Sequence, residues 1–292
     1  MTDPSPEPPL AAVVQLGHAA VQRVADLAGI EVLHLKGYAI DPSLVRPGRA
    51  GTDVDVLVRP SQVSGFLRRL EDAGWQRVIG FRAGSPFGHA ATLHHPCWGY
   101  VDVHRFFPGI GLDPAAAFEL LWGRRQVRRI GGVDCVVPDL VGQTLVLVLN
   151  AARSGPGQRL KGDLQVAWEQ ATAARRVEVE ALVKALDAEV AFAAATGRLE
   201  AYRDRREYWL WKVMSCGGTR LEEWRARIIA APSRRDRLRL VLSAPLVNVE
   251  HLTVLWGRRP TRWEIAREFV LRPMRGIAEQ TRAFRVGRAN GR

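Results

Sequence analysis

One stretch constrains this chain more than any other: Gly51-Thr-Asp-Val-Asp-Val-Leu-Val58. Asp53 and Asp55 alternate with Val54, Val56 and Val58. Strict alternation marks a β-strand, in which successive side chains point to opposite faces. Both carboxylates therefore emerge on one face, roughly 6–7 Å apart along the chain, while the β-branched residues turn the other way into a core. Two ionised carboxylates this close are costly without compensation. A divalent cation is the usual compensation, and hard cations such as Mg²⁺ prefer oxygen ligands.

Tyr100-Val-Asp-Val-His104 repeats the pattern, with Asp102 and His104 on one face. A third carboxylate from a neighbouring strand would complete a site for two metal ions, Mg²⁺ first and Mn²⁺ as the alternative. Such sites act on phosphoryl groups by stabilising both the attacking and the leaving oxygen. Upstream, Val32-Leu-His-Leu-Lys-Gly37 reads as an apolar strand running into a turn. Gly37 lets the backbone come close to a phosphate, and Lys36 adds a positive charge.

Taken in order, the strand with Lys-Gly, the Asp-x-Asp and the Asp-x-His resemble the DNA polymerase β-type nucleotidyltransferase superfamily. Within it the chain is similar to the bacterial uncharacterised nucleotidyltransferase family, which carries Leu-Lys-Gly where better-known members carry Gly-Gly-Ser or Gly-Ser. The resemblance covers residues 30–105. It implies that Asp53 and Asp55 hold both metals, and that Asp102 binds the catalytic metal and assists deprotonation of an acceptor. It also implies that Lys36, Gly37 and Arg49 cradle the phosphates, Arg49 being the Arg that precedes the Asp-x-Asp in that family. Arg49 would either touch phosphate or orient the acids. His104 would hydrogen-bond a carboxylate, contact a phosphate or accept a proton. Downstream, Lys161 and Asp163 match a Lys and an Asp-Leu that lie near the nucleotide in the resembling family, Lys161 as a triphosphate contact and Asp163 as a helper.

The activity implied is transfer of an NMP from an NTP to an acceptor, with release of pyrophosphate. A small molecule or peptide is the favoured acceptor, and RNA such as a tRNA end comes next. The alternative is a non-catalytic nucleotide-binding partner protein on a degenerate nucleotidyltransferase fold. Lys-Gly in place of Gly-Ser removes a Ser hydroxyl and keeps that alternative open; the presence of all three acids argues against it.

Composition sets the outer bounds. The 292 residues carry a formal net charge of +12, which suits an anionic partner but is met by an NTP alone. An Arg-rich composition also follows from a GC-rich genome, so the charge does not establish RNA binding. No apolar run approaches the roughly 18 residues of a membrane-spanning helix, and the acidic, proline-rich start is not a targeting peptide. The expectation is a cytoplasmic protein without membrane contact. Cys97, Cys135 and Cys216 are too widely spaced for a zinc site or a disulfide framework. His89, His94, His95 and His104 lack the ligand spacing of zinc sites.

The fold class expected is α+β: a small mixed sheet with flanking helices, then an all-helical domain, with the site in the cleft between them. The expected segments are a disordered lead-in over 1–9, a catalytic domain over 10–137, a helical domain over 138–274 and a basic tail over 275–292. A first helix, Leu10 to Ala28, shows an apolar stripe of Val13, Leu16, Ala20, Val24 and Leu27, with His18 as a surface or packing residue. A second, Ser61 to Ala73, has Val63, Phe66, Leu67 and Leu70 on one face. The strands over 89–94 and 100–104 predict a hairpin at the sheet edge. Arg124–Ile130 and Val133–Val137 predict another around Gly131-Gly132, its Arg run a solvated edge. Helices are predicted over 160–174 and 199–214, the latter with a core-facing aromatic stripe of Tyr202, Tyr208, Trp209 and Trp211.

Overall fold

Helix α1 (Leu10–Ala28) has the predicted span and stops at Gly29. There φ is 63°, a left-handed conformation that glycine adopts without steric cost, and the Gly29 N–H closes back onto Ala25 and Asp26. The face that α1 buries is only partly the predicted one: Ala20 and Val24 pack half-buried against the core. Leu16 and Leu27 are exposed, and the buried positions are Val14, Gly17, His18, Ala19, Val21, Gln22 and Ala25. Close packing selects this face: a Cβ on Gly17 would lie 2.7 Å from the Trp98 carbonyl oxygen. A helix lies that near to backbone only through its smallest side chain.

The structure, a computed structural model, describes residues 8–49, 51–81, 87–155, 162–243 and 246–271. Most of the expected lead-in and the whole of the expected basic tail lie outside the described residues. The fold is α+β, and by internal contacts it forms two units, residues 1–149 with 159–189 and residues 150–158 with 190–292.

The first unit is built on a five-stranded mixed sheet. Its strands are β1 (Val32–His34), β2 (Val54–Val58), β3 (Gln76–Ile79), β4 (Ala90–His95) and β5 (Gly99–His104), in the order β1-β2-β5-β4-β3. β2 and β5 pair in parallel and the other neighbours are antiparallel. The β4–β5 hairpin forms as predicted but not at the edge, because β3 adds outside β4 and leaves β5 central. Helix α2 (Val63–Asp72) follows β2 and buries Val63, Phe66, Leu67 and Leu70, the predicted face. These residues join Val21, Ala25, Val54, Val56, Val58, Leu93, Val101 and Val103 in one core on one side of the sheet. The odd-numbered residues of β2 and the even-numbered residues of β5 are thereby turned to the opposite face.

Helix α3 (Pro114–Gly123) starts at an Asp113 cap. The predicted second hairpin is present as β6 (Arg125–Ile130) and β7 (Val133–Pro138). Gly131 and Gly132 both have positive φ, as a two-residue primed turn requires. Its arginines lie along an exposed edge, Arg124 with Asp139 at 2.6 Å and Arg129 with Asp134 at 3.4 Å. Helix α4 (Leu140–Ala152) belongs to this unit through Leu149. The helix predicted over 160–174 is broken. Residues 162–164 are helical, Gln165–Glu169 form a π-helical turn, and Thr172 then caps a new helix, α5 (Ala173–Ala185). The Thr172 hydroxyl accepts from the Arg175 N–H, which satisfies one of the first-turn donors and resets the helix.

The second unit is helical. It comprises most of α6 (Glu189–Ala195), then α7 (Tyr208–Cys216), α8 (Arg220–Ala230), α9 (Arg234–Ser243), α10 (Val249–Trp256) and α11 over 262–271. The helix predicted over 199–214 divides into a 3₁₀ turn at Leu199–Tyr202 and α7, with the charged Arg203-Asp-Arg-Arg-Glu207 between them. Tyr208 and Trp211 are buried as predicted, whereas Trp209 is exposed. Thr219 and Glu222 form a reciprocal capping box at the start of α8. Thr219→Ala removes one half of it and is expected to lower stability by about 1 kcal/mol, read as a shift in the urea unfolding midpoint. The three cysteines are free thiols. Among the described residues no helix is long and apolar enough to cross a membrane.

Candidate active site

The parallel pairing of β2 with β5 sets Asp55 directly opposite Asp102, and Leu57 opposite His104. Adjacent strands lie about 4.8 Å apart, and the pairing partners share a face. Asp55, Asp102 and His104 consequently offer ligand atoms all within 4.8 Å of one another. Among the described residues this is the group of acids and histidines placed to hold a metal ion. Asp53, one residue ahead of β2 and half-buried, stands outside that group, with the Thr52 hydroxyl on its carboxylate at 3.1 Å.

Asp55 is buried and carries two donors on one oxygen. Lys36 Nζ lies 2.6 Å from Oδ1, and His104 Nε2 lies 2.8 Å from the same atom. Burial alone would push the Asp55 carboxyl up; Lys36, and then His104, outweigh it and hold the group well below the usual carboxylate range. Asp102 behaves oppositely. Burial, and then the negative charge of Asp55, push it up to about 6, against a hydrogen bond from the Thr92 hydroxyl at 2.5 Å. Asp53 is raised by burial and then by Asp55. The acids thus lie in one electrostatic field with opposite shifts: Asp55 is held ionised and paired, and Asp102 is raised to about 6.

The turn before this site is tight. Lys36 is extended, Gly37 has φ 62°, and a Cβ on Gly51 would lie 3.0 Å from the Gly37 Cα. Two glycines are what allow the 37 and 51 backbones to meet. Arg49 is placed neither on the acids nor free in the loop: its Nε lies 3.0 Å from the buried carboxylate of Asp163, with Arg46 Nε 3.9 Å from the same group. Asp163 is therefore the anchor of the Arg46–Arg49 loop. Lys161 lies outside the described residues.

The four histidines separate. His89 lies beside His104, the rings tilted by 51° with centroids 5.0 Å apart, whereas His94 lies against Tyr100 and His95 against Trp75.

Behind the turn is a buried polar chain that the sequence reading missed. The Val136 N–H donates to Gln22 Oε1 at 3.1 Å, and Gln22 Nε2 donates to Asp26 at 2.8 Å, which fixes the amide orientation. His34 Nε2, 3.2 Å from that oxygen, must therefore be its donor. Neutral His34 then accepts at Nδ1 from His18 Nδ1–H at 2.8 Å. The remaining His18 nitrogen, Nε2, is a buried lone pair with no hydrogen-bond partner among the described residues, 3.6 Å from the position of a Cβ on Gly37. Burial pushes His18 down to about 4 despite the opposing charge of Asp55. Burial, and then His18, push His34 well below its ordinary value. The available signal was a histidine inside an apolar strand, Val32-Leu-His-Leu35, facing a helix whose small residues mark its buried side.

No family model matches the chain, and no curated protein matches it either. Solved structures do. One is the lincosamide antibiotic adenylyltransferase LnuA with lincomycin bound, at 13% identity over 57% of this chain and 94% of that one, TM-score 0.33. A second is an antigenic nucleotidyltransferase-like protein from Paracoccidioides brasiliensis, at 15% identity over 63% and 93%, TM-score 0.36. A third is the antibiotic-resistance factor ANT(2'')-Ia, at 15% identity over 66% and 91%, TM-score 0.35.

Proposed function

We propose that this chain is a metal-dependent nucleotidyltransferase that moves an NMP from an NTP to an acceptor hydroxyl or similar group, releasing pyrophosphate. The observation that carries the reading is the parallel register that sets Asp55 against Asp102 and His104. Two carboxylates with an imidazole at their back are a donor set that fits Mg²⁺, and also Mn²⁺. Asp55 and Asp102 would hold the ions, with Asp53, just ahead of β2, adding its carboxylate. When bound, they supply charge stabilisation at the phosphoryl oxygens and at the leaving pyrophosphate.

The chain's own groups divide the remaining work. Gly37 and Gly51 keep the turn thin enough for phosphate oxygens to reach backbone N–H groups. Lys36, which lies on Asp55 in this structure, would contribute a cation there, Arg49 stands on Asp163, and Lys161 would be a further phosphate contact. His104 donates to Asp55 and fixes the orientation of that carboxylate. Asp102, opposite Asp55 in register, is the base of this reading. It takes the acceptor's proton as the acceptor oxygen bonds to the α-phosphorus and the bond to the β-phosphate oxygen breaks. The favoured acceptor is a small molecule or a peptide, with RNA next.

Calorimetric titration of ATP, GTP, CTP and UTP, each with and without Mg²⁺, tests this reading on wild type and on Asp53→Asn. The expected result is Mg²⁺-dependent binding of at least one NTP, weakened at least tenfold in the variant. Binding of none, or binding indifferent to both Mg²⁺ and the substitution, removes the reading in favour of a non-catalytic partner protein.

A further inference from the structure

Lys36 is expected at phosphate, yet its ammonium lies on the central acid of the site. Nζ is 2.6 Å from Asp55 Oδ1, and its side chain is only 16% exposed while that of Asp55 is 3% exposed. The backbone explains the reach. Lys36 is extended, and the positive φ of Gly37 turns the chain immediately after it, so the side chain reaches back to Asp55 on β2. The same oxygen accepts from His104 at 2.8 Å, so both of these donors converge on Oδ1.

We propose that Lys36 is an internal counter-ion that occupies the metal site until a polyphosphate draws it away. This inference rests on the nucleotidyl-transfer reading of the same site. The physical reason is charge. A buried carboxylate needs a cation, and Lys36 provides one from within the chain. A divalent ion on Asp55 and Asp102 would stand on the same carboxylate as the ammonium, and like charges in a site shielded from water repel strongly. The ammonium therefore has to leave before the ion is held well. The phosphate oxygens of a nucleotide at the Gly37 turn offer it a new anionic partner one side-chain swing away. Metal and nucleotide binding are thereby coupled through one residue: each favours the other because both favour the same displaced position of Lys36. Free metal alone pays the full cost of breaking the Lys36–Asp55 pair. A protein of this design binds Mg²⁺ weakly without nucleotide.

Two measurements test it. In the first, Mn²⁺ alone is titrated by electron paramagnetic resonance into wild type and Lys36→Met, which keeps the apolar stem and removes the charge. The variant is expected to bind Mn²⁺ about tenfold tighter or more, the size of one lost charged hydrogen bond. Equal or weaker binding by the folded variant overturns the proposal.

The second measurement uses only wild-type protein, so it stands even where the variant fails to fold. The side-chain nitrogen of Lys36, one of four lysines, is followed by ¹⁵N NMR. Millimolar Mg²⁺ is expected to leave its signal in place, whereas Mg²⁺ with inorganic tripolyphosphate moves it to a new position. A signal that moves fully with Mg²⁺ alone overturns the proposal, as does one that stays put when both are bound. If tripolyphosphate and Mg²⁺ bind while Lys36 is indifferent, the counter-ion role fails and nucleotidyl transfer stands. If neither Mn²⁺ nor Mg²⁺–tripolyphosphate binds at all, both fail together.

Discussion

Asp55→Asn is expected to lower nucleotidyl transfer by about a thousandfold or more, while the protein still folds. The size follows from the several kcal/mol of transition-state charge stabilisation that a bound metal supplies, at about 1.4 kcal/mol per factor of ten. On the reading proposed above, Asp55 is the acid that would carry that role most directly. It is buried, ionised, oriented by His104 and opposite Asp102 in register. Asparagine keeps the shape and one acceptor oxygen but removes the charge that holds a cation. It also leaves Lys36 without its anion, and that ammonium is close enough to the surface to find water. Transfer of a labelled NMP, or release of pyrophosphate, gives the rate, and circular dichroism confirms the fold. Activity within tenfold of wild type would show that the strand pair is structural and would sink the two-carboxylate mechanism.

Acid is expected to destabilise the protein between about pH 6.5 and pH 4 through His18 and His34. Each imidazole resists protonation in the folded state, His18 down to about 4, whereas the unfolded chain takes up protons near the ordinary 6.5. As pH falls through that window the unfolded state binds more protons, and stability drops. Below the folded value both states are protonated and no more is lost. For His18, fully buried, the span from 6.5 to about 4 corresponds to roughly 3 kcal/mol, and His34 adds to it with the same sign. Asp102 works against this. Its folded carboxyl, raised to about 6, takes up a proton before the unfolded one does, so it adds stability as pH falls from about 6 towards 3.8. Asp53, also raised, has that same sign. Urea unfolding of an Asp53→Asn, Asp102→Asn double variant at pH 7, 5.5 and 4 removes the two opposing carboxyls. A loss of about 3 kcal/mol or more is expected there, and a free energy flat to within about 1 kcal/mol across the range would show that the His18–His34 pair is not held neutral.

Much of the local structure was legible from residue pattern. The span of α1 could be read because Gly29 supplies the left-handed stop, and the face of α2 because Val63, Phe66, Leu67 and Leu70 form a single apolar stripe. The β6–β7 hairpin was legible from Gly131-Gly132 between alternating segments. The face of α1 was legible only in part. That helix carries two stripes, and the large one, with Leu16 and Leu27, is the more hydrophobic. The buried one is chosen by how closely Gly17 lets the helix approach Trp98, a quantity that hydrophobic periodicity does not contain. The helix predicted over 160–174 failed for a different reason. A π-turn over Gln165–Glu169 and a local N-cap at Thr172 interrupt it, and the helical pattern runs through them unchanged.

The candidate site divides in the same way. The sequence by itself determined that Asp55 lies on a strand whose valines turn away from it, with Asp53 just ahead of that strand, that Asp102 and His104 share another, and that a glycine turn carries Lys36. All three follow from the two-residue period of a strand and the conformational freedom of glycine, which are local properties. Only the tertiary structure decided that β2 and β5 pair in parallel with Asp55 against Asp102, that Lys36 folds back onto Asp55, that Arg49 belongs to Asp163, and that His34 and His18 form one buried chain with Gln22. Strand register and buried ion pairs join residues 19 to 114 positions apart in this chain. They are set by which surfaces exclude water together, and a periodic pattern along the chain holds no information about that.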